Sequence, residues 1–122
     1  MVNYRRRLGT TGERIAEAYL VARGYRIIDR NIRTPFGEID LIARNDHCII
    51  FIEVKTRRSL RYGLPEQAIT RRKVATLVHC ATLYLQSHPD LDGDWQIDVI
   101  AIRHTPSLAP EIHHIEDAVH GR

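Results

Sequence analysis

Cysteine is nearly absent from this chain: Cys48 and Cys80 are two thiols in 122 residues, they form no C-x-x-C pair, and both lie inside apolar stretches. A disulfide framework and a thiolate zinc site are excluded, and buried free thiols in a reducing compartment are expected. No apolar run is long enough to span a bilayer, and Met1 to Arg7 lacks the apolar segment of a secretory signal. A cytoplasmic location and no membrane partner are therefore expected. Internal repeats, low-complexity tracts and interdomain linkers are missing as well, so the chain reads as one domain over residues 1–122. His113, His114 and His120 do not have zinc spacing, and Asp90, Asp92 and Asp94 lack the closing glutamate of an EF-hand loop. The histidines are expected at the surface.

What is present is an ordinary globular balance, 43% hydrophobic and 27% charged, with an uneven distribution of sign. Residues 1–75 carry 16 Lys and Arg against 8 Asp and Glu, whereas residues 76–122 carry 2 against 7. A basic first part suits a polyanionic partner, although a solvated charged surface accounts for a net charge of +3 equally well.

Two stretches carry the chemistry. Gly37-Glu38-Ile39-Asp40-Leu41-Ile42-Ala43 and Ile49-Ile50-Phe51-Ile52-Glu53-Val54-Lys55 are apolar strand patterns broken by charges at alternate positions. Parity decides whether those charges meet. A hairpin with an even loop (Asn45-Asp46 or Asp46-His47) sets Asp40 and Glu53 on one face, and an odd loop without a bulge sets them on opposite faces. On the even register two carboxylates and the Lys55 ammonium converge beside apolar walls. Such a cluster is costly to bury unless a hard divalent cation joins the carboxylates, with the Val54 carbonyl as a further oxygen ligand.

This arrangement resembles the PD-(D/E)xK nuclease core, in which Asp on one strand and Glu-x-Lys on the next bind magnesium and activate water. With Gly9-Thr10-Thr11-Gly12-Glu13-Arg14 upstream and Phe51-Ile52-Glu53-Val54-Lys55-Thr56-Arg57 in the middle, the chain resembles the YraN family of small bacterial proteins. It is similar, more distantly, to archaeal Holliday-junction resolvases. The resemblance runs from about Leu8 to Ile102, and Ile39 stands where the motif's proline would be. It implies a restriction-endonuclease-like α/β fold, a mixed central sheet flanked by helices, and metal-dependent phosphodiester hydrolysis. Asp40 and Glu53 would hold Mg²⁺ or Mn²⁺, with Glu13 as a further ligand, and Lys55 would orient water or stabilise developing charge. A salt bridge to Glu53 is the plain structural role for Lys55, and helix-start capping is that for Glu13. Gln67 resembles the glutamine that follows Glu-x-Lys and orients the site, and capping of the next helix is its alternative. Homodimers occur among the resolvases, but nothing in the residue pattern fixes one here.

Along the chain, Arg5-Arg6-Arg7 reads as a basic arm over residues 1–7, and a helix is predicted from Thr10 or Thr11 to Arg23, with Thr10 to Glu13 as a capping box. Tyr25 to Arg33 is predicted as a strand with a bulge at Asp29-Arg30-Asn31, making the first three strands a meander. Arg57 and Arg58, in the basic loop after Lys55, are placed to hold phosphate. Pro65 to Ile69 reads as a helical turn, and Arg71 begins a helix running to about Ser87. Three cations at its start oppose the macrodipole, a cost that nucleic-acid contact by Lys73 would explain. Trp95 to Arg103 is a strand in which Asp98 is expected as an edge charge, with a carboxylate supporting the metal site as the alternative, and residues 106–122 form a short strand or tail. Nothing in the sequence reads base edges, so shape and backbone recognition is expected, DNA ahead of RNA. A non-cleaving nucleic-acid-binding protein with the same fold is the second functional class.

Overall fold

The computed structural model of the chain describes residues 4–57, 69–105 and 107–121. Its elements run α1 (Tyr4–Ala22), β1 (Arg26–Thr34), β2 (Gly37–Arg44), β3 (Cys48–Arg57), α2 (Arg71–Ser87), β4 (Asp94–Arg103) and β5 (Glu111–Gly121). The sheet order is β1-β2-β3-β4-β5. Three neighbouring pairs are antiparallel, and β3 with β4 is parallel because the chain crosses over through α2 between them. The result is a mixed five-stranded sheet with one helix on each face.

β3 shows how the sequence selects this layering. It lies between two strands and under two helices, so it is apolar at consecutive positions rather than alternate ones. Ile49 and Phe51 face α2, where Leu77, Cys80, Ala81 and Tyr84 cover them; Ile50 and Ile52 face α1, under Ala16 and Leu20. One step further along the strand the face toward α2 receives Glu53, so the charged site begins where the apolar run of β3 ends.

Several expectations are corrected. The first helix starts at Tyr4, so the Thr10 to Glu13 run lies inside it and caps nothing. Nothing between Tyr4 and Leu8 breaks a helix, since Arg and Leu are good helix formers. The bulge in β1 falls between Ile27 and Asp29, although Asn31 also departs from strand geometry with a φ of 51°. The stretch expected as a short strand or tail holds an eleven-residue strand, β5, which pairs antiparallel with β4. Pro65 to Gln67 lies outside the described residues, and Ile69 is not helical. The helix from Arg71 to Ser87 is as read; the Thr70 hydroxyl caps it by accepting from the Lys73 amide at 3.1 Å. Among the described residues no helix is long and apolar enough to cross a membrane.

Candidate functional site

The hairpin between β2 and β3 settles the parity. The Asn45 amide donates to the Cys48 carbonyl at 3.1 Å, while Asn45 Oδ1 accepts from the amides of His47 at 2.9 Å and Cys48 at 2.8 Å. That is an even loop, Asp46-His47, locked by an asparagine side chain that imitates backbone. The register runs Arg44 opposite Ile49 through Leu41 opposite Ile52, and its next step sets Asp40 across from Glu53. There the ladder gives way to a side-chain contact: the Val54 amide donates to Asp40 Oδ2 at 2.8 Å.

Glu53 is 5% exposed, and two ammonium groups hold it. Lys55 Nζ lies 3.9 Å from Oε1, and Lys73 Nζ, on the first turn of α2, lies 3.2 Å from Oε2. The Asp40 carboxyl is pushed up to about 7, first by burial and then by Glu53, against the pull of the Val54 amide; Glu13 adds to the upward push.

Glu13 reaches this place because of Gly12. A β-carbon built on Gly12 would stand 1.9 Å from Thr56 Oγ1, so α1 and β3 touch at a distance that only glycine permits. The next residue of α1 is thereby carried to the charged end of β3. Burial raises the proton affinity of Glu13, and Glu38 and Glu53 raise it further. Glu38 itself is exposed and paired with Arg33 at 3.2 Å.

Asp40, Glu53, Lys55 and Glu13 are thus brought together, and Lys73, expected on a nucleic-acid-facing surface, turns inward to join them. Arg57 stands exposed at the end of β3, where its carbonyl accepts from the His104 amide at 2.8 Å. Arg58 and Gln67 lie outside the described residues. Among the described residues no three His, Cys, Asp or Glu side chains converge as a preformed metal cage. The donors at hand are nevertheless carboxylate and carbonyl oxygens, the set that hard divalent cations take. Burial and the neighbouring Glu53 charge raise the proton affinity of Asp40, so protons, ammonium groups and a divalent cation compete for this place, and its oxygen donor set fits Mg²⁺ or Mn²⁺.

A second polar cluster escaped the sequence reading. Asp98, expected as an edge charge, is fully buried on an interior strand. Its Oδ2 accepts from His114 Nε2 at 2.7 Å, and its Oδ1 accepts from Gln96 Nε2 at 2.8 Å and from the Asp117 amide at 2.9 Å. β5 irregularly pairs at this point, and Asp117, with a φ of 54°, turns its amide inward. His114, expected at the surface, is almost buried, with Tyr19 of α1 placing its hydroxyl 3.1 Å from Nδ1. The signal available in the sequence was an aspartate within an otherwise apolar strand.

The family model described as uncharacterised protein family UPF0102 matches residues 12–102, the span that holds both clusters' strands up to β4. A UPF0102 protein of Syntrophomonas wolfei is 47% identical over 97 residues, covering 80% of this chain and 84% of that one. One of Geobacter sulfurreducens is 44% identical over 111 residues, covering 91% and 87%, and one of Symbiobacterium thermophilum is 42% identical over 115 residues, covering 94% and 98%.

Proposed function

The chain belongs to the uncharacterised protein family UPF0102, and for it we propose metal-dependent hydrolysis of phosphodiester bonds in nucleic acid, DNA ahead of RNA, on a PD-(D/E)xK core of the restriction-endonuclease-like kind. The observation that carries the proposal is the meeting of Asp40 and Glu53 across β2 and β3, with Lys55 at 3.9 Å from Glu53. Two carboxylates and an ammonium at the end of a buried strand are poor stabilising elements, since a buried hydrophobic cluster would serve the fold at lower cost. They make sense as a site that handles charge.

Asp40, Glu53 and the Val54 carbonyl would hold the divalent cation, with Glu13 as a further carboxylate from α1. When bound, Mg²⁺ or Mn²⁺ lowers the pKa of water and neutralises charge developing on the phosphate. The protein's own part is positional. The Val54 amide fixes the Asp40 carboxylate by donating to Oδ2. Lys55 supplies positive charge beside the attacked phosphate, where the buried surroundings strengthen it. Arg57, exposed two residues beyond Lys55 on β3, supports the nucleic-acid backbone without reading sequence. The free thiols and the basic first part of the chain accord with an intracellular polyanion as substrate.

The test is a panel of labelled junction, flap, single-stranded and duplex substrates, incubated with Mg²⁺ or Mn²⁺ and with chelator. Cleavage of at least one form, abolished by chelator and by Asp40→Ala and Lys55→Ala with binding retained, is the expected result. Salt-dependent binding with no cleavage under any condition would instead favour a non-cleaving nucleic-acid-binding protein, a reading that the double lysine hold on Glu53 makes worth testing.

A further inference from the structure

Lys73 stands out because its position is unfavourable on two counts. It lies in the first turn of α2, following Arg71 and Arg72, where the helix dipole repels cations, and no acidic residue in that turn offsets them. It is also half-sheltered rather than extended into water: its ammonium sits 3.2 Å from Oε2 of the buried Glu53, closer than Lys55, which stands 3.9 Å from the other oxygen. Both oxygens of a carboxylate placed to hold a cation are thus already engaged by cations from the chain, one from the same strand and one from another layer of the fold.

The two lysines differ in what can move them. Lys55 is tied to Glu53 by two steps of one strand, so no conformational change separates their backbones. Lys73 reaches across from a helix, through a long flexible stem, and its neighbours Arg71 and Arg72 are exposed. A phosphate arriving at the α2 N-terminus meets three cationic side chains at the positive end of the helix dipole, and Lys73 can turn to it without any shift of backbone.

We propose that Lys73 is a substrate-released latch on Glu53: its ammonium occupies the carboxylate in the free protein, and a nucleic-acid phosphate at the start of α2 draws it off, so that divalent-cation uptake and nucleic-acid binding favour one another. This rests on the metal site proposed above and adds its regulation. Reciprocity follows necessarily, because whatever factor nucleic acid adds to cation affinity the cation adds to nucleic-acid affinity. The latch also keeps the carboxylate pair charge-balanced while no substrate is present, which spares the free protein an uncompensated buried anion.

The experiment is a calorimetric titration of Mn²⁺ into the wild-type chain and Lys73→Met, each alone and with a phosphorothioate duplex oligonucleotide that resists cleavage. The wild-type chain is expected to take up Mn²⁺ weakly alone and roughly tenfold more tightly with the oligonucleotide, a coupling of ordinary allosteric size. Lys73→Met is expected to bind Mn²⁺ tightly in both conditions, so that the oligonucleotide effect falls to about onefold on the same scale. Lys73→Gln serves the same purpose should the methionine disturb the helix start, and thermal unfolding verifies either fold. Equal Mn²⁺ affinity in wild type and variant, or a wild-type affinity that the oligonucleotide leaves unchanged, overturns the latch. Absence of Mn²⁺ uptake by every variant overturns the metal site itself, and the latch with it.

Discussion

The Val54 amide donates a 2.8 Å hydrogen bond to Asp40 Oδ2 at the point where β2 and β3 cease to pair through their backbones. That bond holds a carboxyl whose proton affinity is raised to about 7 by burial and by Glu53. Because the folded value lies above the unfolded one, the protonated form is favoured by folding. The associated stability is fully present below about pH 4 and is lost as the pH rises through about 7. In metal-free buffer the melting temperature of Asp40→Asn is therefore expected to exceed that of wild type at pH 8, by an equivalent on the order of 4 kcal/mol, and to match it near pH 4. Parallel pH profiles for the two proteins would count against the carboxylate pair.

Gly12 and Thr56 set the distance between α1 and β3. Gly12→Ala forces a β-carbon to within 1.9 Å of the Thr56 hydroxyl, and overpacking of this kind costs about 2 kcal/mol. Thr56→Ala removes that oxygen, so the double variant is expected to recover part of the loss in denaturant unfolding. Additive losses would mean that the close approach is not what makes glycine necessary.

Asp98 receives three hydrogen bonds while fully buried, and its removal strands the donors of His114, Gln96 and Asp117. Asp98→Ala is expected to cost about 3 kcal/mol, and Tyr19→Phe about 1 kcal/mol, in equilibrium unfolding. Neither residue touches the Asp40 and Glu53 site, so surviving protein should keep its Mn²⁺ affinity. A change in that affinity would show the two clusters to be coupled.

Arg57→Ala should weaken nucleic-acid binding about threefold for every sequence tested and flatten the salt dependence by close to one counterion. Lys55→Ala should leave binding nearly intact while removing cleavage, because its charge is spent beside Glu53. Filter binding across a salt series separates the two effects. An Arg57 variant whose loss depends on sequence would contradict backbone recognition.

Which features could be read from the chain follows the range of the interactions that fix them. The limits of α2 were legible because its apolar stripe from Val74 to Leu85 is local. The meeting of Asp40 and Glu53 was legible only as a choice between parities, which three hydrogen bonds around Asn45 decide. The α1 start was misplaced because a capping-box pattern is indistinguishable from the same residues inside a helix. Burial of Asp98 was missed because two of its three partners come from 16 and 19 residues away, and the Tyr19 hydroxyl beyond His114 from 95. β5 was obscured by the irregularity that turns Asp117 toward Asp98 and interrupts the alternation. Lys73 carried a visible clue, a cation against a helix dipole, but the clue named no partner.

The parallel joint between β3 and β4 orders the assembly of the molecule in time. The first three strands are neighbours in sequence and zip by short hairpins, so the acidic half of the site can gather early. β4 docks only after the chain has closed a far wider loop through α2, and Lys73 arrives with that late closure. Pulse-labelled amide exchange during refolding should accordingly protect Leu41 and Ile52 before Val99. A ribosome-bound chain would then hold its carboxylates together for an interval with no ammonium from the second helix to quiet them.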